Sequence, residues 1–190
     1  MRKAIRDKYV EVAVSAAGKF KYTTGRAGAR ALGYDPDIVR NTSDDFLESF
    51  CGVGNPFTLG EIRPGESVLD IGCGVGFDMS VASRLVGETG QVCGIDLTVE
   101  MIEQARQNLS QAGMTNVEIK HVDSEEIPYA DQTFDVVISN GVINLSLCKE
   151  KLFKEIYRVL KPGGRLQFAD IAMEKEMPGS IVGSLEAWSQ

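Results

Sequence analysis

From residue 66 onward, apolar positions along the chain alternate between two spacings. Ser67 to Ile71 is a short, branched apolar run, as expected of a parallel strand buried on both faces. Phe77 to Val86 has helical spacing and stops at Gly87. A second strand, Gln91 to Ile95, ends in Asp96 and precedes a helical stretch from Val99 to Ala112. Val117 to Pro128 reads as a strand and its tip, and Phe134 to Leu145 as a strand and loop. Tyr157 to Asp170 reads as the close of a helix, a turn and a fifth strand, Arg165 to Ile171. This alternation predicts an α/β fold with a doubly wound, mostly parallel sheet. Upstream lie a first helix from Arg2 to Ala16, a glycine-bearing connector, and a second helical piece in which Ser43 is an N-cap to DDFLESF. Residues 1–60 hold too few apolar positions for a core of their own. They read as a cap over a 66–170 core, within a single domain that closes with a short tail, 171–190.

The turn between the first core strand and helix carries the chemistry. Gly72, Gly74 and Gly76 let the backbone turn tightly with no Cβ in the way, so a ligand can lie against the main chain. Asp96, at the tip of the neighbouring strand, can accept both ribose hydroxyls of an adenosine. It equally stands where it can cap the next helix, as does Thr98. Nicotinamide dinucleotides and S-adenosylmethionine both fit these features. Asp70, directly before the glycines in a DxGxGxG pattern, favours the second, because it would repel a pyrophosphate and attract a cationic amino group.

With the later segments VEIKHVDSEEIP, FDVVISNGVINL and YRVLKPGGRLQFAD, the series resembles the class I S-adenosylmethionine-dependent methyltransferases from about Glu66 to Asp170. The resemblance implies a role for each motif. Gly72, Gly74 and Gly76 would line the methionine moiety, with Asp70 on the loop and ammonium side. Asp96 would take the ribose diol, and Leu97 and Thr98 would border the adenine. Asp123 would accept from the exocyclic amine and the Ser124 N–H would serve a ring nitrogen. Asn140 would present its backbone carbonyl to the methionine amino group and open the substrate pocket. Read from the residues alone, Asp123 is also a solvated turn acid and Asn140 a strand-end cap.

The segments GNP (Gly54 to Pro56), VGETGQVCGIDLT and ISNGVINLS, together with LGYD at Leu32 to Asp35, are similar to the arsenite methyltransferase branch of that family. That branch carries a cysteine in its SNCVINLS motif where this chain has Gly141. Another, in its GCGNP segment, falls on Val53, and those near the first helix are missing from SAAGKFK. Trivalent arsenic is soft and needs convergent thiolates. The resemblance therefore implies methyl transfer to a small molecule other than arsenite, with S-adenosylhomocysteine as product. The alternative is a protein that binds either compound without turnover. No catalytic residue is assigned: Asn140, Asn144 and Asp78 are candidates to orient a substrate, and the sole histidine, His121, lies on the adenine side.

Composition narrows the partners. The 190 residues carry a net charge of −7, which argues against nucleic acid, and no apolar stretch approaches a membrane span. The N-terminus lacks a secretion signal, and four scattered cysteines fit a reducing, cytoplasmic setting without a metal site. Cys73 and Cys93 read as packing residues; Cys51 precedes the segment that forms the substrate side of the pocket in the relatives, or is an ordinary buried thiol, and Tyr9 is an amphipathic-face tyrosine on the helix that closes over the cofactor in the relatives. The fifth strand would be an open edge, to be covered by the tail, bearing Ile181, Val182, Leu185 and Trp188, by the N-terminal segment or by another copy; the expectation is a symmetric homodimer with this strand or the tail at its interface.

Overall fold

The computed structural model describes residues 2–172. Four helices precede the sheet: α1 Arg2–Val14, α2 Gly25–Ala31, α3 Pro36–Asn41 and α4 Asp44–Glu48. Each of the last two starts on a side-chain cap. Asp35 accepts from the N–H groups of Asp37 (2.7 Å) and Ile38 (3.3 Å) ahead of Pro36, and Ser43 accepts from Phe46 N–H at 3.3 Å. The connector expected as coil thus holds two helices, and α1 ends two residues before Ala16. Six or seven residues are too few to display an apolar period, and α2, GRAGARA, spends two of its seven on glycine.

The core alternates strand and helix except between β3 and β4, which a loop joins: β1 Ser67–Ile71, α5 Phe77–Val86, β2 Gln91–Asp96, α6 Val99–Gln111, β3 Val117–His121, β4 Phe134–Asn140, α7 Lys149–Val159 and β5 Leu160–Ala169. The sheet is parallel throughout, in the order β3-β2-β1-β4-β5, so the winding reverses between β1 and β4. Such a reversal leaves a crevice at the carboxyl ends of the two strands. The fifth strand differs from its expected span. Phe134 pairs with Leu160 but Val136 with Arg165, so the Lys161 to Gly164 segment bulges out of one continuous strand instead of turning into it. The strand closes at Ala169, short of Ile171.

Successive β1 residues point to opposite layers. Val68 joins a cluster that runs through Phe77 and Met79 of α5 into the cap, where Val12, Tyr34, Val39, Phe46, Leu47 and Phe50 are buried. Leu69 and Ile71 face the other layer, with Phe134, Val137 and the α7 residues Leu152, Ile156 and Val159. The cap therefore shares one core with the sheet. It also covers part of β5, because the buried Gln167 amide donates to the carbonyls of Pro56 (2.9 Å) and Gly60 (3.0 Å). Phe168 and Ile171 remain exposed, and the four apolar tail positions expected to shield the strand lie outside the described residues. Among the described residues no helix is long and apolar enough to cross a membrane.

Candidate functional site

An open cavity of about 150 Å³ occupies the crevice at the carboxyl ends of β1, β2 and β4, roofed by α1 and the 49–52 segment. That is on the order of ten times the space one bound water needs. Its wall contains Asp70, Gly72, Gly74, Asp96, Leu97, Thr98, Ser124 and Asn140. Two residues expected with them are elsewhere. Asp123 is exposed on the turn after β3, and Gly76 starts α5 with its Cα toward α6, where an added Cβ would lie 3.1 Å from Leu109 Cδ1 and 3.3 Å from Ala105 Cβ. The three glycines all have positive φ but do different work. Gly72 admits the Val142 side chain, Gly76 admits a neighbouring helix, and only Gly74 faces open space, with nothing within 4 Å of where a Cβ would be.

Asp96 takes the helix-cap role that the sequence allows it and also stands in the cavity wall. One carboxylate oxygen accepts from Gly74 N–H at 2.9 Å and the other from Thr98 N–H at 2.8 Å. The side chain thereby ties the glycine loop to the first turn of α6 while still forming part of the cavity wall. Each carboxylate oxygen retains acceptor capacity after one such bond. The loop is held a second time where Gly72 and Cys73 both donate to Ile95 O, at 2.8 and 3.0 Å.

Two further acids sit deep in the wall. Asp70 is buried, and its Oδ2 has no hydrogen-bond partner. Burial first, and then the nearby Asp78 and Asp96, hold its pKa well above the usual carboxylate range. Asp78 accepts from Tyr34 Oη at 2.7 Å and from Asn140 Nδ2 at 3.0 Å, and burial still pushes its pKa up to about 6. Asn140 is the hub. Its Oδ1 accepts from the N–H groups of Val53 (2.9 Å) and Gly54 (3.2 Å), and its Nδ2 also reaches Gly54 O and Tyr34 Oη. The side chain clamps the 52–54 loop of the cap onto the tip of β4. Tyr34 gives no sequence signal for this part, and an acid in the first turn of a helix, such as Asp78, ordinarily reads as a helix-dipole partner.

The remaining candidates are placed as follows. Cys51 and Cys73 line the cavity, and burial pushes the Cys51 thiol up to about 12. His121 is exposed, with Nε2 3.2 Å from Leu97 O. Gly141 has φ +74° and faces Val53, whose Cγ1 would be 3.3 Å from a Cβ placed there. The two positions that hold cysteine in the arsenite methyltransferase branch are thus neighbours in space.

Comparison with known proteins agrees with this geometry. Residues 62–190 match a family model described as a methyltransferase domain. The chain is 36% identical over 194 residues to an arsenite methyltransferase from Halobacterium salinarum, covering 95% of this chain and 49% of the relative. It is 46% identical over 107 residues to a ubiquinone/menaquinone biosynthesis C-methyltransferase from Haemophilus ducreyi, covering 55% of this chain and 41% of the relative. Among solved structures, an arsenic(III) S-adenosylmethionine methyltransferase from Chlamydomonas reinhardtii superposes with a TM-score of 0.64 at 32% identity, covering 84% of this chain and 53% of the other. The chain spans about half the length, or less, of the two curated relatives.

Proposed function

Because the chain belongs to the methyltransferase-domain family, we propose that it binds S-adenosylmethionine in the β1/β4 crevice and methylates a small molecule other than arsenite. The observation that carries this reading is the unpartnered, buried Asp70 oxygen beside the open side of the glycine loop. A buried carboxylate without a partner costs free energy that a cationic ligand returns. The residues present fit S-adenosylmethionine: Asp70 toward its ammonium, Gly74 against the chain of its methionine portion, Asp96 for the ribose diol, and Leu97 and Thr98 around the base. Leu97, Thr98 and Ser124 line the side of the cavity that this assignment gives to adenine, and Asp123 is exposed on the turn directly before Ser124.

When bound, the cofactor supplies an electrophilic methyl group on a sulfonium. The chain must hold the acceptor in line and keep water out. The Cys51 thiol is held neutral by burial, Asp78 is engaged by Tyr34 and Asn140, and His121 is exposed and not part of the cavity wall. The acceptor therefore reacts through an atom that is already nucleophilic, or loses its proton to water.

Calorimetry should detect S-adenosylmethionine and S-adenosylhomocysteine at micromolar Kd, about −8 kcal/mol, and no nicotinamide dinucleotide. The reverse result would remove the assignment. Release of S-adenosylhomocysteine across a set of acceptors separates an enzyme from a binding protein.

The acid pair adds a pH signature. Asp70 and Asp78 both have raised pKa values, so the ligand-free cavity takes up protons at mildly acidic pH. A cation placed beside them favours the ionised forms, so binding releases protons and affinity rises between pH 5 and 7. Titration in buffers of different ionisation enthalpy measures the release. A pH-independent affinity across that window would contradict it.

With valine and glycine at positions 53 and 141, the protein should not methylate arsenite in the presence of glutathione. Gly141→Cys alone should not create that activity, because one thiolate is not a convergent set and a side chain at φ +74° is strained. Methylated arsenicals from either protein would reject the assignment of a different acceptor.

A further inference from the structure

Next to the crevice, and sharing Ile5, Tyr9, Gly141 and Leu145 with it, is a second cavity of about 40 Å³. Its walls are aromatic. Tyr9 and Phe20 have ring centroids 6.4 Å apart, and Phe20 and Tyr22 5.1 Å, and Val53 and Gly141 line the cavity with them. Two polar groups break this apolar lining without a protein partner. The Lys8 ammonium lies 4.3 Å from the Phe20 ring centroid, with no carboxylate at ion-pair distance among the described residues. Asn144 is held by its backbone, its N–H donating to Asp170 Oδ2 at 2.8 Å and its carbonyl accepting from Lys149 Nζ at 2.9 Å, yet its side-chain Oδ1 is buried and unpartnered.

Resting on the reading given above, we infer that this second cavity is the acceptor subsite and that it takes a small planar aromatic compound. Such a compound would bear an anionic group for Lys8 and a hydroxyl or N–H donor for Asn144 Oδ1. Three aromatic rings in one wall, tilted 52° and 34° to one another, favour an aromatic guest packed against a ring face or edge over a saturated one. A partly desolvated ammonium at an apolar wall recognises an anion, and an orphaned amide oxygen recognises a donor. Burial lowers the Lys8 pKa, a cost that a bound anion offsets. Gly141 lines both cavities and faces Val53 in the wall of the second, so no thiol stands at that shared edge. For a hydroxyl acceptor the O–C bond forms as the sulfonium S–C bond breaks. Sulfur keeps the electron pair, and the hydroxyl proton leaves to water.

The test is calorimetric titration of 3- and 4-hydroxybenzoate into the protein saturated with S-adenosylhomocysteine, beside benzoate, phenol and arsenite. At least one hydroxybenzoate should bind tenfold or more tightly than benzoate or phenol. Lys8→Met should remove the advantage of the carboxylate and Asn144→Leu that of the hydroxyl, with S-adenosylhomocysteine affinity unchanged in both, since neither residue lines the first cavity. Should Asn144→Leu fail to fold, Lys8→Met on the partly exposed α1 surface decides alone. Binding of S-adenosylhomocysteine with no hydroxybenzoate binding, or equal binding of all four aromatic and arsenite probes, overturns the acceptor class and leaves the cofactor reading standing. Absence of S-adenosylhomocysteine binding overturns both.

Discussion

Replacing Asp96 with alanine is expected to weaken S-adenosylhomocysteine binding at least a hundredfold. Two charge-assisted bonds to a ribose diol contribute about 1.5–3 kcal/mol each. The same carboxylate accepts from Gly74 and Thr98, so its loss also frees the glycine loop and the α6 start. Asp96→Asn separates the two effects. It keeps one oxygen for the backbone donors but loses the charge, and should cost about tenfold. Calorimetry on the three proteins reads the series directly. An alanine variant within threefold of the parent would remove Asp96 from the ligand.

The largest loss of stability is expected at Phe77→Ala. Phe77 is 2% exposed and begins α5 where the cap meets the sheet. Its ring lies 5.1 Å from Phe50, 5.2 Å from Tyr34 and 6.3 Å from Phe46. Truncating a buried phenylalanine costs about 3–5 kcal/mol, a large share of the roughly 5–15 kcal/mol typical of a whole domain. Urea unfolding should therefore show a midpoint lowered in proportion, and Phe77→Leu should recover most of it. The cavity would suffer as well, since Phe77 lines it and Phe50 belongs to the segment that roofs it. A loss under 1 kcal/mol for the alanine variant would mean that the cap and sheet do not share a core.

The contrast between what the chain announces and what it conceals follows from sequence distance. The bounds of β1 and α5 are legible to the residue, because both elements are strongly apolar and each is bounded by glycine or a polar residue. Asp96 is legible because its partners, Gly74 and Thr98, belong to the same βαβ unit. The Tyr34, Asp78 and Asn140 network is not, for its members come from the cap, α5 and β4, and each taken alone has an ordinary local explanation. Short capped helices such as α2 and α3 escape because they are too brief to repeat a pattern. The evenly spaced glycines differ in what they face. Spacing fixes where the backbone turns but not which Cα faces the cavity, and Gly76 turns toward α6.

The clamp at Asn140 also sets an order of events during synthesis. Val53 and Gly54 leave the ribosome 87 and 86 residues before the amide that holds them. Through that interval the apolar cap residues Tyr34, Phe46 and Phe50 lack the α5 and β4 surfaces that bury them in the finished molecule. At synthesis rates of about 5–20 residues per second, the nascent cap stays exposed for several seconds. The same cross-chain closure that gives the crevice its roof makes the nascent cap the segment most in need of chaperone protection.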